Sequence, residues 1–314
     1  MYRLPLSERE QLVHESPIRK LAPYALQAER EGVHVYHLNI GQPDIETPEV
    51  MRRAYAEPPK VVSYGPSEGL PEFREALAGY YRSWGIDIDA HRILVTNGGS
   101  EAIIFTLMAV TSPGDEIIVP EPYYANYNGF AAMVGVRIVP VTTTLESGFH
   151  LPTAGEFEAK IGERTRAILF SNPGNPTGAV FSRERLAELG ELARRKGLYL
   201  ISDEVYREFT YDGAEAVPLL SFDGLEDHAI TVDSISKRYS ACVARIGTLV
   251  TRNERVRKRV LRFAQARRCP PTVEQIAAVK AVESTEEYLR SVVQEYVRRR
   301  KVAYEEISKI EGAA

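Results

Sequence analysis

From Arg92 onward, short apolar runs of strand length alternate with helix-length stretches, and this alternation constrains the fold more than any other feature of the chain. Ile93-Leu-Val-Thr, Glu116-Ile-Ile-Val, Ala167-Ile-Leu-Phe-Ser and Leu198-Tyr-Leu-Ile-Ser read as strands, as do Arg137 to Val141, Ala229 to Val232 and Ile246 to Val250. Strands alternating with helices imply a mainly parallel sheet covered on both faces. In such sheets ligands sit at the carboxyl ends of strands. The loops that begin at Asn97, Asn172, Asp203 and Ser234 lie at such ends and so converge on one site.

The helices carry their own signals. Pro71 stands at a permitted first position, with Phe73, Leu77 and Tyr80 near helical spacing behind it. A helix is expected from about Glu101 to Val110. Another runs from about Ser182 to Lys196, with Leu186, Leu189, Leu192 and Ala193 on one face and Gly197 as its stop. A short helix is expected from Ile18 to Glu31, and a long charged one from Thr285 to Ile310 with Tyr288, Val292, Tyr296 and Ile307 as its apolar side. Arg298 to Lys301 on that last helix reads as a solvated face.

With 314 residues, 44% hydrophobic and 26% charged, the chain has material for a large core and more than one domain. A net charge of -4 and a pI near 6.0 give no electrostatic reason to expect nucleic acid as a partner. No apolar run approaches the roughly 18 residues of a membrane span. Met1-Tyr-Arg-Leu-Pro leads into charged residues rather than a secretory signal, and Cys242 and Cys269 show no metal spacing. The expectation is a cytoplasmic protein without a metal site, a membrane or a nucleic-acid partner.

The chemistry concentrates in Thr231-Val-Asp-Ser-Ile-Ser-Lys-Arg-Tyr-Ser-Ala-Cys-Val-Ala-Arg-Ile-Gly247. Lys237 leaves a strand end between polar neighbours, and Arg245 follows within the same loop. A lysine forms a Schiff base only when its amine is neutral, which desolvation or a nearby cation favours. Ser234 and Ser236 add hydroxyl donors for phosphate oxygens, so a phosphorylated aldehyde suits the loop. Asn97-Gly-Gly-Ser-Glu places small residues at a helix N-terminus, where phosphate is commonly held. Asn172-Pro-Gly-Asn-Pro-Thr-Gly178 is a rigid loop with Asn175 at its polar tip. Pro120-Glu-Pro-Tyr-Tyr-Ala-Asn-Tyr127 offers tyrosine faces to a ring, Gly41 permits close approach to backbone, and Tyr64 stands at a loop edge. Taken singly, each also has an ordinary reading: a solvated Lys-Arg turn, a packed tyrosine loop, a plain glycine turn, a capping aspartate.

In combination the motifs are specific. Asn172-Pro-Gly-Asn-Pro-Thr-Gly, Ser202-Asp-Glu-Val-Tyr, Ser234-Ile-Ser-Lys and Arg245-Ile-Gly, in that order, resemble the class I/II pyridoxal-phosphate aminotransferases of fold type I. The resemblance runs from about Leu38 to Gly247, and Lys237-Arg-Tyr-Ser-Ala with Pro270-Pro-Thr looks most like bacterial aspartate aminotransferases. It implies an α/β fold with a mainly parallel seven-stranded sheet flanked by helices. It also implies a large domain at 47–283 and a smaller second domain built from 1–46 and 284–314.

The resemblance further implies pyridoxal 5'-phosphate as cofactor and roles for individual residues. Lys237 would carry the cofactor as a Schiff base and shuttle the proton between the substrate Cα and the cofactor C4′. Asp203 would keep the pyridine nitrogen protonated. Tyr206 and Asn175 would bind the ring oxygen, and Tyr124 would stack on the ring. Backbone N–H groups of Gly99, Ser100 and Glu101, with Ser234, Ser236 and Arg245, would hold the phosphate, joined by Tyr64 from a second subunit of a homodimer. Gly41 would lie against the substrate carboxylate.

Two features depart from the family pattern. Val243 stands where the lysine signature has a small residue, Asn or Arg, so the loop from Lys237 to Arg245 is expected to be altered. The family's later arginine for the substrate α-carboxylate has no counterpart here, so the 314 residues are expected to be an incomplete polypeptide. The expected reaction is transamination of aspartate with 2-oxoglutarate. Transamination of aromatic amino acids or alanine, a C–S lyase on the same scaffold and a non-catalytic ligand-binding protein are the alternatives.

Overall fold

A computed structural model describes Val13, Ser16 and residues 19–312. In chain order its helices and strands are α1 (Ala22–Arg30), α2 (Glu49–Ala56), α3 (Pro71–Ser83), β1 (Ile93–Asn97), α4 (Gly98–Val110), β2 (Glu116–Glu121), α5 (Asn126–Val134), β3 (Arg137–Thr142), α6 (Ala154–Glu158), β4 (Thr165–Ser171) and α7 (Arg183–Lys196). There follow β5 (Tyr199–Asp203), β6 (Ala229–Ser234), α8 (Ile235–Arg238), β7 (Ile246–Val250), α9 (Glu254–Arg267), α10 (Thr272–Glu283) and α11 (Thr285–Ile307).

The strands form one 7-stranded sheet in the order β1-β7-β6-β5-β4-β2-β3. Strands β6, β5, β4, β2 and β3 run parallel, as the strand-helix alternation predicts. Strand β7 is the exception: it runs antiparallel to both neighbours, β1 and β6. The reason is the length of its connection. Parallel neighbours need a crossover of a dozen or more residues, usually with a full helix, and Ile235 to Arg245 offers only the four-residue α8 and a short 3-10 turn. The chain therefore turns straight back. This reversal brings the start of β7 to the carboxyl edge of the sheet, with Ser234 opposite Gly247 and Asn97 opposite Ile246.

Every residue of β6 is buried, and apolar cores lie on both faces of the sheet. Helix α7 follows its sequence signals closely. Ser182 caps it by accepting from the Arg185 N–H at 3.3 Å, Leu186, Leu189, Leu192 and Ala193 are buried, and Gly197 ends it at φ 67°. In α3, Pro71 occupies the first turn and Phe73, Leu77 and Tyr80 face inward.

Three expectations need adjusting. Helix α4 starts at Gly98 rather than near Glu101, because Gly98 adopts φ 77° and lets the chain turn directly from β1 into the helix. The N-terminal helix is split into a 3-10 turn at Arg19–Leu21 and α1, and Ile18 lies outside the described residues. Helix α11 buries only its first half: Val292 is buried and Tyr288 donates to the Glu46 carbonyl at 2.9 Å, but Ile307 is 53% exposed. The basic run on α11 is paired with acids, Arg298 with Glu295, Arg299 with Glu295 and Asp44, and Arg300 with Asp212, in keeping with a solvated ionic face.

Candidate active site

The site is assembled at the carboxyl edge of the sheet, where a helix start, two strand ends and one strand beginning meet. Asn97 precedes α4 without a side-chain capping bond, and its N–H donates to the Glu101 carboxylate at 2.8 Å. The helix bounds leave the N–H groups of Gly98, Gly99 and Ser100 outside the helical ladder, while Glu101 stands where its N–H faces the Asn97 carbonyl. The Glu101 side chain is also held by Arg267 at 3.1 Å. Aligned peptide dipoles make this helix start an anion-binding position.

Two glycines allow the approach. A Cβ on Gly247 would lie 2.3 Å from the Gly98 carbonyl carbon and 2.4 Å from the Gly99 nitrogen. A Cβ on Gly98 would lie 2.1 Å from Arg245 Nη2. Helix α4, strand β7 and the Arg245 guanidinium thus share a space that only bare backbone leaves open.

Arg245 reaches this space from a left-handed backbone conformation at φ 53°. Its guanidinium donates to the carbonyls of Cys242 at 3.1 Å and Asn97 at 3.5 Å, and no ion pair joins it to a carboxylate among the described residues. Val243, expected to alter this loop, is 90% exposed, so its bulk meets solvent, and the unusual backbone angles of the loop fall on Ser240 at φ 49° and Arg245 instead. Ser234 and Ser236 lie alongside. Ser234 Oγ donates to the Ile246 carbonyl at 2.9 Å, sits 2.9 Å from Ser236 Oγ and caps α8 by accepting from the Ser236 N–H.

Asp203 ends β5 with its carboxylate almost fully buried. It accepts from the Tyr127 hydroxyl at 2.7 Å and from the Val205 N–H at 3.4 Å, and it makes no ion pair among the described residues. Burial raises its pKa to about 6, against the lowering effect of those donors. Tyr127, itself fully buried, is held protonated by burial and by the neighbouring Asp203 charge. Tyr124 packs edge-on against Tyr127, with ring centroids 5.5 Å apart. The hydroxyls of Tyr124 and Tyr206 are both held protonated, first by burial and then by Asp203.

Lys237, half-buried on α8, donates from Nζ to the Gly41 carbonyl at 2.5 Å. The Tyr206 hydroxyl approaches the same glycine, 3.9 Å from where a Gly41 Cβ would stand. The structure therefore brings Lys237, Gly41 and Tyr206 together, and separately Gly99, Ser100, Ser234, Ser236 and Arg245. Asn175, half-buried in the loop that follows β4, lines a small cavity with Ser171, Gly174 and Tyr123. Tyr64 is not drawn in: its ring is 82% exposed and lies under the Arg268 guanidinium at 5.8 Å.

Tyr127 is the residue that reading the sequence passed over. Three tyrosines crowd Tyr123 to Tyr127, and only the start of α5 decides that Tyr127, and not Tyr123, turns inward to Asp203. The one signal was spacing, since Tyr127 lies a helical turn beyond Tyr124 on the inner face.

Comparisons with known proteins agree with one another. Residues 33–314 match the family model described as Aminotransferase class I and II. Aromatic-amino-acid aminotransferase 2 of Thermococcus litoralis is 32% identical over 98% of this chain and 79% of its own length. The aspartate/prephenate aminotransferase of Thermus thermophilus is 33% identical over 96% of this chain and 78% of its own. The solved structure of alanine aminotransferase from Pyrococcus furiosus matches with a TM-score of 0.90 at 34% identity, covering 98% of this chain and 80% of that one.

Proposed function

The chain belongs to the class I and II aminotransferases, pyridoxal-phosphate enzymes of fold type I, and from that premise we propose that it transfers the amino group of aspartate to 2-oxoglutarate. The observation that carries the site assignment is a buried carboxylate facing a site that also holds a cation free of any carboxylate. Among the described residues Asp203 is a buried carboxylate without a cation, and Arg245, exposed to solvent, is a guanidinium bonded only to carbonyls. A ligand with a protonated pyridine at one end and a phosphate at the other satisfies both, so the residues fit the cofactor.

When bound, the cofactor supplies a reactive aldehyde carbon and a protonated ring that acts as an electron sink. The protein's contribution follows residue by residue. Asp203 holds the proton on the ring nitrogen, and Tyr127 keeps that carboxylate oriented and ionised. The N–H groups at the start of α4, including Gly99 and Ser100 with Glu101 behind them, bind the phosphate together with Ser234, Ser236 and Arg245. Tyr124 covers the ring face, and Tyr206 and Asn175 donate to the ring oxygen. Lys237 Nζ anchors the cofactor and moves the proton at the substrate Cα, and Gly41 borders the substrate carboxylate.

The same reading includes a division into a large domain at 47–283 with 1–46 and 284–314 as segments of a second, a homodimer in which Tyr64 reaches the partner's phosphate, and a cytoplasmic location. Exposed apolar side chains at Leu38, Val61, Val62 and Val243 support a covered surface. Two free cysteines support a reducing compartment, and no helix among the described residues is long and apolar enough to cross a membrane.

Aspartate is the finer claim, because relatives named for aspartate, aromatic amino acids and alanine resemble the chain to similar degrees. Purified protein with pyridoxal phosphate and 2-oxoglutarate should be offered a panel of amino acids and keto-acid formation followed. The highest kcat/KM is expected for aspartate. A preference for tyrosine, phenylalanine or alanine removes the aspartate claim. Release of pyruvate and sulfide from cysteine, with no amino-group transfer, moves the reading to a lyase.

A further inference from the structure

Immediately behind the site lies a closed set of charged side chains that the reaction does not use. Arg207 and Arg238 are each 1% exposed, and they are matched by three carboxylates, Glu204, Glu208 and Asp233, all nearly or fully buried. Each member but one is the chain neighbour of a site residue: Glu204 follows Asp203, Arg207 follows Tyr206, Asp233 precedes Ser234 and Arg238 follows Lys237. At the ends of β5 and β6 adjacent side chains leave an extended backbone on opposite sides, so Asp203 and Ser234 face the site while Glu204 and Asp233 face this network; Arg207 joins it from a turn and Arg238 from α8.

Arg238 is the member that ties the pieces together. Its Nη2 donates to Asp233 Oδ2 at 2.6 Å and its Nε to Glu208 Oε1 at 2.6 Å, while the guanidinium stacks over the Tyr80 ring at 4.3 Å. Tyr80 donates to the same Glu208 oxygen and accepts from Arg207 Nη1 at 3.0 Å. Glu208 Oε2 is buried without a partner among the described residues, so Glu208 holds Arg238 through one oxygen alone. Asp233 meanwhile accepts from the Ser234 N–H at 2.7 Å.

These contacts matter because of where Lys237 sits. Helix α8 spans only Ile235–Arg238. A single turn has too few hydrogen bonds to hold its own orientation against the cost of nucleation. Its direction is therefore set by what anchors its ends: the Ser234 cap at one and the buried Arg238 at the other. Resting on the reading that Lys237 is the reactive amine, we propose that Arg238 is a positioning residue for Lys237, clamped by Asp233 and Glu208 so that Nζ is aimed at the Gly41 carbonyl and the substrate Cα beside it.

The test compares the full chain with Arg238→Met, Arg238→Lys and Tyr80→Phe variants by two independent readouts. The first is acylation of Lys237 by acetic anhydride before any cofactor is added, measured by peptide mass spectrometry relative to the exposed Lys160. Loss of the clamp frees Nζ from Gly41, so relative acylation should rise by about tenfold in Arg238→Met, with part of the wild-type protection restored in Arg238→Lys. The second is transamination by the loaded enzyme, where kcat should fall by about a hundredfold while KM for the amino acid changes by less than about threefold. Should Arg238→Met fail to fold, Tyr80→Phe decides, since it removes one hydroxyl from the clamp and keeps the ring. A rise in its Lys237 acylation at an unchanged melting temperature supports the proposal. Wild-type acylation of Lys237 in the folded variant, whatever the activity or melting temperature, overturns it. The proposal and the functional reading fail separately: a wild-type protein that never takes up pyridoxal phosphate at Lys237 refutes the second and leaves the acylation comparison intact.

Discussion

Tyr127 donates its hydroxyl proton to Asp203 Oδ2 across 2.7 Å, and the two side chains are only 1% and 8% exposed. The bond opposes burial, which pushes Asp203 up to about 6, by favouring the ionised carboxylate. Its strength is set by the dry surroundings, where a hydrogen bond to a charged group contributes about 1.5–3 kcal/mol.

Removing that hydroxyl with Tyr127→Phe should therefore move Asp203 further up. The pH below which pyridoxal phosphate binding weakens is expected to rise by about one pH unit, with little change well above it. Cofactor affinity measured by equilibrium dialysis across pH 5–9 checks this. An unmoved acid limb means that Tyr127 only fills space.

Asp203 should also cost the cofactor-free protein stability. Its folded pKa of about 6 lies above the ordinary 3.8, so between these values the folded state holds more protons than the unfolded one. Stability from this group consequently falls as pH rises through that window, by roughly 3 kcal/mol in total, and stays low above it. Asp203→Asn is expected to stabilise the cofactor-free chain at pH 8 but hardly at pH 4, while lowering turnover by orders of magnitude because a neutral amide no longer holds the ring proton. Urea unfolding at the two pH values, beside turnover, is the measurement. Equal effects at both pH values contradict the assignment.

Gly247→Ala places a methyl 2.3 Å from the backbone of Gly98, where no flexible side chain is available to yield. The start of α4 must shift, and overpacking of this kind costs about 1–3 kcal/mol. Phosphate affinity should fall more steeply than stability, because the displaced groups are the N–H donors themselves. Inorganic phosphate and pyridoxal phosphate titrations, with a melting curve, separate the two. Unchanged affinity for both ligands would show that the α4 start is not their site.

Lys237→Ala removes a half-buried amine bonded to one carbonyl, so the fold should persist with a stability change within about 1 kcal/mol. Transamination and the lysine-dependent cofactor absorbance are expected to vanish. An active Lys237→Ala protein rules out the proposed role.

Tyr64 is 82% exposed with the Arg268 guanidinium over its ring, although the reading gives it a phosphate to hold. On the proposed reading, a second copy supplies that phosphate. Analytical ultracentrifugation should find a dimer, and Tyr64→Phe should weaken pyridoxal phosphate binding by about tenfold through one lost hydrogen bond to a charged group. A strict monomer with wild-type cofactor affinity refutes the intersubunit role.

Much of this protein is legible in its sequence because the relevant signals are local. The Ser182 cap, the inward face from Leu186 to Ala193 and the Gly197 stop all act within a few residues of one helix. Buried strand runs and the polar loops at their ends are likewise short-range patterns. They sufficed to place Asp203, Lys237, Arg245 and the glycines of α4 on one edge. What the tertiary structure alone decided involves partners distant in sequence. Strand β7 runs antiparallel because its connection is short, and that reversal sets Arg245 against Asn97 and leaves Val243 facing water. Tyr127 meets Asp203, and Tyr80 meets Glu208 and Arg207, only once the strands are in register and the helices are packed on them. A local pattern shows which face of an element is buried; which distant charge or hydroxyl is buried opposite it depends on the packing of the whole sheet, which sets where most buried polar groups find the partners that offset their desolvation.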